Sequence, residues 1–423
     1  MRATFSLDHS FEQIPLARPD ITEREIRSIL EVMQTPYLSL GPKLVEFEEK
    51  FSDYVGVRHA IAVNSGTSGL HLAIKSLNIG QADAVITTPF SFIASANCIL
   101  FERATPIFVD IDEQSFNIDP EKIERYLQRR CTRKGGAIFD RRTGKRVSAI
   151  LPVHVFGLPC EMDAIMALAE KYELRVIEDA CEAIGAQFDG KKVGTFGNVG
   201  VFAFYPNKQI TTGEGGMIVT HDEKVALTCR SLRNQGRDGQ GGWLAHSQLG
   251  YNYRISDINC ALGIAQLERI GEILGKRAKI AKRYNQRLRD VVRLPAMNSR
   301  GKRSWFTYVI CLSESVTQET RDEILKELGD RGIGCNNYFP PIHLQPFYVD
   351  RFGFKKGDFP VTESVAQRTI ALSFHSNLED DEIDYIVASL KELMHKYDDS
   401  FRRVATENKL EVAPDELELC ELA

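Results

Sequence analysis

The sequence predicts an α/β protein, a mostly parallel sheet with helices on both faces followed by a smaller C-terminal α/β unit. Two observations lead there. From residue 43 onward, short apolar runs alternate with stretches whose apolar residues recur at helical spacing. Such strand–helix alternation builds parallel sheets covered on both faces. The chain is also 423 residues long, too long for one small core and suited to two domains.

The elements follow in order. Lys43 to Tyr54 carries Leu44, Phe47, Phe51 and Tyr54 on one helical face, and Gly56 stops it. His59 to Val63 reads as a strand, and Leu70, Ala73, Ile74 and Leu77 mark the next helix. Further strands are expected at Ala84–Thr88, Pro106–Val109, Ala149–Val153, Leu174–Ile177, Val201–Phe204 and Met217–Thr220, with a helix over Met162–Tyr172. Residues 134–147 read as an exposed hairpin turning at Arg141 to Lys145. Asp257 to Leu274 reads as one long helix, and a charged helix from Lys276 to Asp290 leads out of the large domain. A smaller unit holds the strand Trp305–Leu312, a helix around Ile324–Leu328 and a last helix through Ile383, Ile386, Leu390 and Leu393. The expected division is a large domain with an N-terminal arm over 1–275, a small α/β domain over 276–395, and a polar, acidic tail over 396–423 expected to be mobile.

Composition narrows the function. A net charge of -5 does not suit a protein that coats nucleic acid. No stretch approaches the ~20 apolar residues of a membrane span, and Met1 to Phe11 lacks the pattern of a signal peptide. Nine scattered cysteines without a Cys-x-x-Cys pair read as reduced thiols of a cytoplasmic protein. No metal site is expected.

The most specific segment runs from Phe202 to Gly216. An apolar strand meets a lone lysine, Lys208, and a glycine-rich turn leads into another apolar strand. A lysine at a strand end can project into a cleft, where desolvation frees its amine to form a Schiff base. Gly213, Gly215 and Gly216 would let the chain pass beneath a flat ligand. Asp179 directly follows a buried strand, a costly place for a carboxylate without a cationic partner; a pyridinium nitrogen would be one. A helix N-cap is the structural alternative. Asn64 to Gly69 lies between strand and helix and suits a phosphate cradle, with Thr67 and Ser68 as hydroxyl donors. Phe92, with Phe90 second, offers an aromatic face for a ring; core packing is the alternative for both.

Taken together, these segments resemble the DegT/DnrJ/EryC1/StrS family of sugar aminotransferases, fold-type I enzymes dependent on pyridoxal 5'-phosphate (PLP). The likeness spans residues 14–395. It rests on Gly41–Glu48, Asn64–Leu70, Thr87–Ser95, Pro152–Gly157, Ile177–Gly185, Phe204–Gly216 and Leu249–Arg254, in that order. The resemblance implies a seven-stranded, mostly parallel sheet. It implies Lys208 as the Schiff-base lysine and Asp179 as the pyridine-nitrogen partner. Glu182 stands where the family usually has a glutamine reaching the ring hydroxyl. Gly66, Thr67 and Ser68 match the phosphate loop, Phe92 the stacking aromatic and His154 a histidine near the cofactor. Ala203 stands where many relatives have a serine on the phosphate. Asn252 matches an asparagine reaching the phosphate from the other subunit, and Arg254 a residue of the same interface. His343 resembles a substrate-side histidine, and Tyr37 is placed at the sugar entrance.

The implied reaction has two halves. An amino acid, usually glutamate, leaves its nitrogen on the cofactor as pyridoxamine phosphate, and a nucleotide-linked keto-sugar takes it, giving ping-pong kinetics in a homodimer with shared sites. Two alternatives stand beside it. A PLP-dependent sugar dehydratase would carry histidine at position 208, and a non-catalytic relic of the fold would have lost Lys208 or Asp179; both residues are present.

Overall fold

The computed structural model describes residues 13–238, 242 and 245–397. In chain order it begins with α1 (Glu23–Met33), α2 (Pro42–Val55), β1 (His59–Val63), α3 (Gly66–Ser76), β2 (Asp83–Thr87), α4 (Ala94–Phe101) and β3 (Thr105–Phe108). Next come α5 (Pro120–Arg130), β4 (Cys131–Lys134), β5 (Ala137–Asp140), β6 (Arg146–Ile150), α6 (Met162–Tyr172) and β7 (Arg175–Asp179). The short strands β8 (Gln187–Phe188) and β9 (Lys191–Lys192) precede β10 (Val199–Ala203), β11 (Gly216–Thr220), α7 (Glu223–Arg233), α8 (Asp257–Glu268) and α9 (Ile270–Leu288). The remainder is β12 (Gly301–Lys302), β13 (Tyr308–Cys311), α10 (Gln318–Asp330), α11 (Pro346–Phe352), α12 (Pro360–Arg368), β14 (Thr369–Leu372) and α13 (Asp380–Tyr397).

The main sheet has the order β1-β11-β10-β7-β6-β2-β3. From β10 to β3 all neighbours are parallel, β11 runs antiparallel to its two neighbours, and β5 and β4 branch antiparallel from β6. The strands from β1 to β3 along this order are buried along nearly their whole length, as a sheet covered on both faces requires. The reversal of β11 sets Gly216 opposite both Ala203 and Val63. The carboxyl ends of β1 and β10 therefore meet the start of β11 at one edge, where ligands of open α/β sheets bind.

A separate apolar cluster closes the C-terminal unit around β13, β14, α10 and α13, with Tyr284 and Leu288 of α9 contributing. Here the structure departs from the expectation in three ways. The N-terminal arm leans on the C-terminal unit: Ile14 sits in its core, and Ile14 and Leu16 hydrogen-bond to Gly332, Gly334 and Phe374. The break between the long helices falls at Arg269, not after Leu274. Apolar periodicity continues through that point. At the break the Arg269 side chain reaches Asp20, Glu25 and Glu272. Thirdly, β5 pairs with β4 as well as with β6, giving a second hairpin through Gly135 and Gly136. The last helix continues to Tyr397, and the tail beyond it lies outside the described residues. Among the described residues no helix is long and apolar enough to cross a membrane.

Candidate active site

A cavity of ≈ 620 Å³ opens at the carboxyl edge of the sheet. Asp179 enters it as the last residue of β7, and Lys208 from the turn that follows β10. Ser65, Gly66 and Thr67 bring the amino end of α3, while Phe92 and Ser95 come from the segment after β2. A further stretch of the wall is Asn336, Asn337, Tyr338, Phe339 and Pro340 of the C-terminal unit. That wall is anchored, because Asn336 exchanges two backbone hydrogen bonds with Ala371 of β14.

The Lys208 amine lies 3.6 Å from Glu182 Oε1 and 4.0 Å from the centre of the Phe306 ring. Glu182 is only 5% exposed. Its Oε2 accepts the Phe156 N–H at 2.9 Å. Phe156 adopts a left-handed backbone, φ 53, to aim that N–H, a conformation that costs a non-glycine residue about 1–2 kcal/mol. Burial pushes the Glu182 carboxyl above the usual range, although the Lys208 charge and the Phe156 N–H pull the other way. Asp179 Oδ2 accepts the Ser95 hydroxyl at 2.7 Å and Oδ1 accepts the Cys181 N–H at 3.1 Å.

At the start of α3 the Ser65 side chain caps the helix through the Ser68 N–H. A Cβ at Gly66 would lie 2.6 Å from Ala203 Cβ, so only glycine lets the helix end approach β10 this closely. A Cβ at Gly216 would lie 2.6 Å from the Ser65 carbonyl. The glycine there accommodates neighbouring backbone, not a ligand.

The structure brings together Lys208, Asp179, Glu182, Gly66, Thr67 and Phe92. Phe92 is 60% exposed, whereas Phe90 is fully buried against Phe116, Phe156 and Phe339. Three of the expected residues lie outside the cavity lining. The Ser68 hydroxyl donates to Asn64 Oδ1 at 2.7 Å, and its neighbour Ser65 lines the cavity. His154 is buried outside the cavity lining. Its Nδ1 accepts the Cys160 N–H at 3.1 Å, and its Nε2 faces Glu178 at 3.2 Å. Glu178 also takes the N–H groups of Gly194, Phe196 and Gly197, so this pair braces a loop. His343 is likewise buried, with Nε2 3.0 Å from Glu363 and its ring packed edge-on to Phe359. Burial lowers its proton affinity. Tyr37 and Asn252 are exposed, and with Arg254, which donates to Asn234 Oδ1 at 3.1 Å, they lie outside this chain's cavity lining.

Sequence reasoning missed Ser65, Ser95, Tyr205, Asn207, Phe306 and the whole Asn336–Pro340 wall. The run Asn-Asn-Tyr-Phe-Pro-Pro just before His343 was the available signal for that wall.

Comparison with known proteins follows this geometry. The model of the DegT/DnrJ/EryC1/StrS aminotransferase family matches residues 19–391. GDP-perosamine synthase of Caulobacter vibrioides is 38% identical over 387 residues, covering 90% of this chain and 98% of its own. Spore coat polysaccharide biosynthesis protein SpsC of Bacillus subtilis is 35% identical over 393 residues, covering 90% and 97%. The crystal structure of a DegT DnrJ EryC1 StrS aminotransferase from Brucella abortus superposes with a TM-score of 0.79 at 32% identity, covering 87% of this chain and 95% of that one. With its lysine and carboxylate on one cavity at the sheet edge, the chain belongs to the DegT/DnrJ/EryC1/StrS aminotransferase family and is a PLP-dependent sugar aminotransferase of fold-type I.

Proposed function

We propose that the chain moves an amino group from glutamate to a nucleotide-linked keto-sugar, in two half-reactions that share one site. The observation that carries this reading is the placing of Lys208 and Asp179 on the wall of a single cavity at the amino end of α3. PLP suits these residues: an amine for its aldehyde, a carboxylate for its ring nitrogen, and a glycine-fronted helix end for its phosphate. When bound, PLP supplies an electron-accepting ring next to the carbon that loses or gains a proton.

The chain's own groups supply the rest. Lys208 holds the cofactor at rest and, once displaced, moves the proton at the substrate carbon. Asp179 faces the ring nitrogen. The first N–H groups of α3, with the Thr67 hydroxyl, take the phosphate, a contact that Ala203 cannot make. Phe92 covers one ring face. Glu182, its proton affinity raised by burial, stands where it can share a proton with the ring hydroxyl, which eases the repulsion between two anionic oxygens.

Two features bear on the substrates. The Asn336–Pro340 wall offers the amides of Asn336 and Asn337 and the Tyr338 hydroxyl, neutral groups suited to sugar hydroxyls. Lys208 is the single cation among the described cavity-lining residues, beside Asp179, Glu182 and Glu214. The phosphates of a nucleotide therefore need positive groups from elsewhere. A homodimer in which Asn252 and Arg254 of one subunit, and Tyr37 near the entrance, complete the site of the other meets that need.

The test loads the protein with nitrogen from glutamate, removes free glutamate, and offers a panel of nucleotide keto-sugars, with mass analysis of the products. Amination of at least one sugar is expected. A protein that binds PLP yet takes no nitrogen from any amino acid would sink the reading. Lys208→Ala should abolish covalent cofactor retention after borohydride reduction; a cofactor-bearing peptide elsewhere would show that another lysine serves.

A further inference from the structure

We propose that Ser95 is a positioning residue: its hydroxyl aims the Asp179 carboxylate at the cofactor ring, and Ser91 in turn aims Ser95. The inference rests on the role given above to Asp179. Ser95 is 1% exposed and reaches Asp179 Oδ2 at 2.7 Å. Its hydroxyl has one proton and two acceptors in reach, the second being the Phe92 carbonyl at 3.2 Å. The nearer, charged acceptor takes the proton. Ser91 Oγ lies 2.9 Å from Ser95 Oγ and is therefore the donor in that contact. The other oxygen of Asp179 is fixed by the Cys181 N–H.

The carboxylate is thus pinned from both sides. Each oxygen has one protein donor and keeps lone-pair capacity for a donor in the cavity that Asp179 lines. The same turn carries Phe92, and its backbone is tied by the Ser95 N–H to the Phe92 carbonyl at 3.3 Å. One short segment therefore sets both the aromatic surface that meets the face of the ring and the residue that orients the carboxylate at its edge. Precise placement of such groups by buried partners is what a preorganised site requires.

The experiment is a double-mutant cycle read by PLP dissociation constant, measured by absorbance titration of cofactor-free protein, with melting temperature as a control on folding. Ser95→Ala should weaken PLP binding about tenfold, and Ser95→Thr, which keeps the hydroxyl, should stay within about twofold of wild type. Ser91→Ala should cost about threefold, because it loosens only the relay. In an Asp179→Asn background, Ser95→Ala should change the constant by less than about twofold, since Ser95 acts through Asp179. An equal loss in that background would mean that Ser95 touches the cofactor directly or merely packs, and would overturn the proposal. So would wild-type affinity in Ser95→Ala. Failure of the wild-type chain itself to bind PLP would instead overturn the reading of the site on which the proposal rests.

Discussion

Glu182 keeps one oxygen on the Phe156 N–H and turns the other to the Lys208 amine, in a place where burial favours its neutral form. Its proton affinity in the folded chain exceeds the ordinary carboxylate value of 4.5. Between those two values the folded chain binds more protons than the unfolded one, so stability falls as pH rises through the window. Glu182→Gln keeps an acceptor for Phe156 and removes the titration. The cofactor-free variant should exceed wild type in urea midpoint at neutral pH, and the gain should vanish as pH falls toward 4.5. An unchanged gain at both ends would show that Glu182 titrates normally. At this scale, residues were legible where local pattern alone places them. Asp179 closes β7 and Lys208 lies in the turn that follows β10, both placed by the apolar runs before them. His154 and His343 were chosen by residue type, yet their partners Glu178 and Glu363 lie 24 and 20 residues away. Nothing local showed that those side chains were already engaged. For Ser68 the partner is local, since Asn64, four residues back, takes its hydroxyl.

At the level of elements, the site depends on how closely α3 can abut β10. Gly66→Ala sets a new methyl against Ala203 and within 3.1 Å of Cys181 Sγ. It should destabilise the protein by about 1–3 kcal/mol, as overpacking does, and weaken PLP binding by tilting the helix end away. Ala203→Gly in that background frees the space and should recover part of both losses. Urea denaturation with PLP titration checks the pair, and purely additive effects would contradict the contact. Helix and strand positions were readable because their apolar periods differ so clearly. Two junctions were not. The break falls at Arg269, whose ion-pair partners Asp20 and Glu25 are remote in sequence, and the Asn336–Pro340 wall is tied at Asn336 to β14, which no local pattern encodes.

For the molecule as a whole, the cavity's shortage of positive charge makes the association of two chains the decisive question. Lys208→Ala and Asn252→Asp chains, each inactive as a homodimer, should regain about a quarter of wild-type sites when equal amounts exchange subunits, because half the dimers are mixed and each mixed dimer has one intact site. Sedimentation should show a dimer, and no recovery after proven exchange would mean that each chain completes its own site. The fold class was legible from alternation alone. The packing of the N-terminal arm on the far unit was not, since Ile14 looks like any apolar residue until Gly332 and Gly334 are brought beside it.

The Asn336–Pro340 side of the cavity is stitched by Asn336 to a strand already paired within its own sheet. A surface tied that way is held fast at its Asn336 end. Where a sugar meets it, discrimination should work like a lock with no moving ward: a misfit is refused on arrival and is not trapped and left to react slowly. Unsuitable sugars should accordingly differ from the true one in affinity far more than in turnover.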